Sequence, residues 1–327
     1  MTFVDRLSAH PHMLTNNGSQ HGFADISRTA SGTAEGCGEY RNLRMQIDAA
    51  SKTAWCHMRP EGRPSYTHGL LADLYRMRDD LDRWFNARAA TQGRPVQWFV
   101  MASDVPGIFN LGGDLAHFVD RIEARDLGSL QHYGRLAARG VYLNSTGLGL
   151  PLITVGLVQG DALGGGFEHA LACDILVAER SARLGLPEIL FNLFPGMGAY
   201  SFLSRRIGRS GAEAMILSGK VHTGEELHAM GVVDVLAEDG QGEECVKEYV
   251  ARHGRKYNAH YALHRARKCV SPVPLSELLE VVDIWAETAM ELTATDLRRM
   301  LQLAGAQDRR LAVSAATPGP RRQAAGF

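Results

Sequence analysis

The most constraining stretch of this chain is PLITVGLVQGDALGGGFEHAL, residues 151–171. Ile153 to Val158 is a short apolar run bounded by turn residues, the pattern of a strand covered on both faces. Gly164, Gly165 and Gly166 follow, and then Glu168 at the head of an apolar segment that reads as a helix. Glycines at such a junction allow a sharp turn and let a ligand oxygen approach the free N–H groups of a helix start. No Lys-Ser or Lys-Thr follows them as in a P-loop, so phosphate cradling is the weaker reading and an oxyanion site the stronger. Taken alone, the run is equally consistent with a turn that packs a helix on a sheet.

A second bare stretch, GIFNLGGDLAHF, again separates a predicted strand from a predicted helix, with Asp114 placed to cap that helix. A carbonyl oxygen that becomes an enolate needs two preorganised donors, and one N–H from each loop supplies them. Gly113 and Gly165 are the candidates. A third stretch, ARLGLPEILFNLFPGMGAY, holds one acid, Glu188, among Leu186, Ile189, Leu190 and Phe191. Loss of water around a carboxyl raises its pKa toward the range useful for proton transfer, and Glu168 behind Phe167 has a similar setting. Two acids beside an oxyanion site suit proton removal next to a carbonyl, coupled to loss or gain of water.

Composition narrows the class. With 327 residues, 45% hydrophobic, 22% charged and a net charge of -1, the chain lacks the basicity of a nucleic-acid binder. No window approaches the apolar length of a membrane span, and the odd, scattered Cys37, Cys56, Cys173, Cys245 and Cys269 read as reduced thiols, so a cytoplasmic protein is expected. His117, His132 and His169 have no ligand-like spacing, and no metal is expected.

The pattern along the chain predicts an α/β fold. Residues 1–40 read as a flexible extension, 41–245 as the core, 246–311 as a helical region with apolar excess, and 312–327 as a disordered tail. Within the core, NLRMQIDAASKTAWCHM predicts two strands, PSYTHGLLADLYRMRDDLDRWF an amphipathic helix, and VQWFVMAS and CDILVAE further strands. SGAEAMILSG predicts a helix from a Ser210 cap to a Gly219 stop, and no internal repeat is visible.

FNLGGDL, QGDALGGGFEHALACD, LGLPEILFNLFPGMGAY and TGEELHAMGVVDVL, in this order, resemble the signature segments of the crotonase (enoyl-CoA hydratase/isomerase) superfamily over roughly residues 40–300. Within it, FNLGGDLAHF, QGDALGGGFEHAL and LPEILFNLFPGMGAYSF resemble most the diffusible signal factor synthases, which make 2-enoic fatty acid signals from 3-hydroxyacyl carrier-protein thioesters. The resemblance implies a ββα spiral with a helical C-terminal region that builds trimers. It places the two catalytic acids on Glu168 and Glu188 and the oxyanion donors on Gly113 and Gly165. It also implies a pocket role for Trp285, joined by Phe191, Phe194 and Met197 from the apolar stretch after Glu188. The implied activity is a dehydratase with thioesterase activity on medium-chain acyl-carrier-protein or CoA thioesters, with no cofactor beyond the carrier's phosphopantetheine arm. A homotrimer or dimer of trimers and a regulatory sensor protein are the implied partners. A conventional enoyl-CoA hydratase of fatty-acid breakdown and a non-catalytic binding protein are the alternatives.

Overall fold

The computed structural model describes residues 38–316, with side chains to residue 305; the extension and tail expected at the two ends lie mostly outside the described residues. Strand β1 (Leu43–Asp48) runs antiparallel to β2 (Thr53–Met58), which is followed across a sheet by β3 (Trp98–Ser103), β5 (Ile153–Val158), β7 (Ile175–Glu179) and β10 (Val235–Ala237), all parallel. Alternation along β3 explains why it is buried on both faces. Trp98, Val100 and Ala102 pack with α7 (Gly242–Gly254) and α8 (Tyr257–Val270) residues, whereas Phe99 and Met101 join the main core on the other face. That core is completed by α1 (His68–Gln92), whose Thr67 caps the Leu70 N–H, and by α3 (Leu127–Ser145).

A second, smaller sheet positions the site. It orders β4 (Ile108–Asn110), β6 (Asp161–Leu163), β8 (Arg183–Gly185) and β9 (Val221–Thr223), with β4, β6 and β8 parallel. Strands β3 and β4 lead into α2 (Leu115–Glu123) and α3; β5 and β6 lead into α4 (Gly165–Leu171); β7 and β8 lead into a 3-10 turn (Pro187–Phe191) and α5 (Ala199–Ser218). The structure therefore contains the ββα spiral that the resemblance implies, although no internal sequence repeat is visible, because the helical part differs in each turn of the spiral.

Helix α5 also corrects the expected Ser210 cap. A helical segment from Ala199 precedes the expected one and meets it at a kink at Gly208 (φ 74°, ψ 166°), so the second segment starts before Ser210 rather than on a Ser210 cap, and it ends as expected on left-handed Gly219. After α6 (Gly224–Ala229) and α7, helix α9 (Leu275–Met290) lies along α3, and α10 (Ala294–Ala316) packs on α2 and the Pro187–Phe191 turn. Among the described residues no helix is long and apolar enough to cross a membrane.

Candidate active site

Three neighbouring parallel strands end in the three segments that carry chemistry. Strand β4 runs into Gly112-Gly113, β6 into Gly164–Gly166, and β8 into Leu186-Pro187-Glu188. The pairing Asn110↔Ala162 and Leu163↔Gly185 brings these strand ends level. A site outside the carboxyl ends of parallel strands follows from that order.

The glycine run is bare for steric reasons at each position. A Cβ on Gly164, whose φ is 52°, would lie 2.5 Å from Glu188 Oε1. One on Gly165 would lie 2.6 Å from the Met197 sulfur, and one on Gly166 would lie 2.1 Å from the Asn110 carbonyl oxygen. The backbone thus touches the second acid, an apolar pocket residue and the neighbouring strand in three successive residues. Gly165 opens α4, where N–H groups have no intrahelical partner. In the facing loop, the Gly112 N–H donates to Asn110 Oδ1 at 2.8 Å and the Asp114 N–H to the Tyr133 hydroxyl at 3.2 Å, with Gly113 between them.

Glu168 is buried in the first turn of α4, and its Oε1 accepts the Met197 N–H at 2.7 Å and the Ala199 N–H at 2.9 Å. Burial raises its pKa; the amides of Ala199, Met197 and Gly198 oppose that rise by stabilising the anion. Glu188 is half-buried as a residue, yet its Oε2 is sealed from solvent and has no hydrogen-bond partner among the described residues. Burial raises the Glu188 pKa first, and the charge of Glu168 raises it further. The two acids therefore differ in degree: amides from three residues favour the Glu168 anion, whereas only its own backbone N–H favours that of Glu188. His169, next in sequence, is pushed down to about 4 by burial and is neutral at ordinary pH.

One cavity gathers Gly113, Gly165, Glu168, Glu188, Phe191, Met197 and Trp285. Phe194 does not line it. The left-handed turn at Asn192 (φ 63°) puts Leu193 at the cavity and leaves Phe194 against the main core. Trp285, from α9, meets Phe118 edge-on at 5.1 Å between ring centroids, and a Cβ on Gly196 would lie 2.4 Å from its indole. Leu111, Leu115, Phe118, Tyr133 and Leu303 complete much of the lining, none of them singled out by motif. Phe118 and Leu115 carried a signal, being the apolar positions of the helix that Asp114 caps. Tyr133 lies on α3, remote in sequence from every motif, and carried none.

The arrangement has known relatives. The enoyl-CoA hydratase/isomerase family model matches residues 77–270. Mitochondrial methylglutaconyl-CoA hydratase of Mus musculus is 35% identical over 153 residues, 47% of this chain and 46% of that one. The fatty acid oxidation complex subunit alpha of Pseudomonas syringae pv. tomato is 37% identical over 137 residues, 42% of this chain and 18% of the other. The matches thus span about half the length of the first of these proteins and far less of the second. An enoyl-CoA hydratase from Bacillus halodurans superposes with a TM-score of 0.67 at 22% identity, covering 80% of this chain and 99% of that one, a likeness of fold. With the family model covering more than half of the sequence and the fold agreeing, this chain belongs to the enoyl-CoA hydratase/isomerase (crotonase) family.

Proposed function

We propose that this protein adds water to, or removes it from, acyl thioesters of the 2-enoyl and 3-hydroxyacyl type. The observation that carries this reading is a buried acid, Glu168, and a half-buried one, Glu188, with unequal support, set in one cavity with Gly113 and Gly165. The thioester oxygen sits between the two glycine N–H groups, which stabilise the enolate that forms when C2 carries charge. In hydration, anionic Glu168 takes a proton from water as it adds to C3, and protonated Glu188 gives its proton to C2. In dehydration the same protons move in reverse. Coenzyme A is the favoured carrier, since the relatives named above are described as hydratases of CoA thioesters or as part of fatty-acid oxidation.

A second reading, dehydration of a 3-hydroxyacyl carrier-protein thioester followed by hydrolysis to a free 2-enoic acid signal, is favoured by the likeness of the Leu186–Phe202 stretch to signal synthases. In that reading water activated by the same acids attacks the thioester carbonyl. Incubation with enoyl-CoA and with 3-hydroxyacyl carrier protein separates the two. Hydration of enoyl-CoA without free acid supports the first reading; release of free 2-enoic acid from the carrier protein supports the second; no turnover of either overturns both.

Exposed Leu263 (68%) and Val270 (85%) on α8, and Ile284 (56%) on α9, support a homotrimer joined through the C-terminal helices. Light scattering at micromolar concentration that returns a monomer overturns it.

A further inference from the structure

The Gly113 N–H belongs to a loop, and a loop donor stabilises an oxyanion only if its direction is held before charge develops. One flank is bonded directly to the Tyr133 side chain, and the other is linked to it through Tyr66. The Tyr133 hydroxyl accepts the Asp114 N–H at 3.2 Å and donates its own proton to the Tyr66 carbonyl oxygen. Tyr66 returns to the same loop, its N–H donating to the Gly112 carbonyl at 2.8 Å, and it pairs with Gly113 as an isolated bridge. One hydroxyl thus closes a ring of hydrogen bonds around the donor, serving as donor and acceptor at once. Tyr133 is 1% exposed and lines the cavity. Burial pushes its phenol well above the ordinary range and keeps the proton in place. Phe118 braces the other side: a Cβ on Gly113 would lie 2.5 Å from its ring, and that ring meets Tyr133 edge-on at 5.1 Å.

We propose that Tyr133 is a positioning residue whose hydroxyl aims the Gly113 N–H at the thioester oxygen. The inference rests on the thioester reading above. Removing an oxyanion donor outright lowers turnover about 100- to 1000-fold, so loosening one by Tyr133→Phe should lower kcat about 10- to 100-fold. The affinity for a saturated acyl-CoA, whose ground-state carbonyl asks less of the donor, should stay within about threefold.

The discriminating measurement is the infrared carbonyl stretch of octanoyl-CoA carrying 13C at the thioester carbon. In the wild type, binding shifts the band to lower frequency; in Tyr133→Phe the shift shrinks. Equal shifts in both proteins overturn the positioning role while leaving the thioester reading intact. Absence of a shift in the wild type overturns the thioester reading and the positioning role with it. If Tyr133→Phe loses its helical circular dichroism, 3-fluorotyrosine at position 133 keeps the hydroxyl and changes its acidity. The band should then move relative to wild type, and an unmoved band overturns the proposal.

Discussion

The two segments that deliver the acids solve the same task by opposite means. Glu168 stands in the first turn of α4, a helix buried along its whole length, with amides from the Met197–Ala199 turn on its carboxyl. Glu188 stands on a five-residue 3-10 turn that is half open to solvent, with a sealed oxygen, Oε2, that no donor meets among the described residues. The difference teaches how one residue type is divided between base and acid. Donors lower the cost of charge on Glu168, and that charge then raises the cost of charge on Glu188. Burial raises both carboxyls, and their mutual repulsion makes them titrate as a pair rather than as independent groups.

The largest expected effect breaks this division. Glu168→Gln and Glu188→Gln each keep the side-chain shape but remove a proton transfer, and each should lower turnover about 100- to 10,000-fold. Loss of the 2-enoyl thioester absorbance on hydration is the measurement. Near-wild-type turnover in either variant removes that residue from the mechanism.

A smaller effect on rate comes from the contact between the segments. Gly164→Ala places a Cβ where Glu188 Oε1 lies, at a φ of 52° that disfavours alanine. Glu188 must withdraw, and turnover should fall about tenfold or more, as a misplacement of about 1 Å does. If Gly164→Ala retains full turnover, Glu188 does not work from its position against the glycine run.

How far these segments were legible follows from how local they are. The strand, glycine run and Glu168 occupy one continuous stretch, and Asp114 announces its helix by capping it, so sequence spacing alone brings out those parts. The nearness of Gly113, Gly165 and Glu188 depends on the β4-β6-β8 order, which no single segment encodes; the chemistry of an oxyanion beside two acids and the resemblance suggested the grouping, not periodicity. Tyr133 acts through bonds to Tyr66 and Asp114 that are 67 and 19 residues away. The Leu193 and Phe194 exchange turns on one left-handed residue, Asn192, and the early start of α5 is hidden because Gly208 interrupts its pattern.

Stability gives a third contrast. The folded-state pKa of both acids lies above the unfolded value, so between the two the native state binds more protons than the unfolded chain. Stability contributed by these groups is fully present below the unfolded value near 4.3 and is lost as pH rises through the folded values. Glu188→Gln removes part of that loss and should be more stable than wild type at pH 9 by about 1–2 kcal/mol, with little difference at pH 4. Thermal melts at the two pH values check the sign. Glu168→Gln should gain less, because the wild-type anion is already stabilised by amides. Equal gains in the two variants erase the asymmetry on which their assigned roles depend.

The smallest expected effect tests the wall that the acids share with the C-terminal helices. Acyl preference depends on the apolar side chains that line the cavity, Trp285 among them. Trp285 is 6% exposed and is wedged among Phe118, Gly196 and Val282's neighbour Gly134, whose Cβ would lie 3.6 Å from the indole. Trp285→Ala would open the most space but costs about 3–5 kcal/mol of packing, which confuses specificity with stability. Trp285→Phe keeps an aromatic ring against Phe118 and frees a smaller volume. A buried methylene contributes about 0.8 kcal/mol, or roughly fourfold in affinity, so the variant should improve kcat/KM for chains longer by one or two carbons by a few-fold. The turnover of the best substrate should change little, since Glu168, Glu188 and the glycine loops are untouched. An unchanged chain-length profile in a folded Trp285→Phe protein makes Trp285 a packing residue and moves the limit on acyl length to Phe191, Leu193 or Met197, which line the cavity beside Glu188.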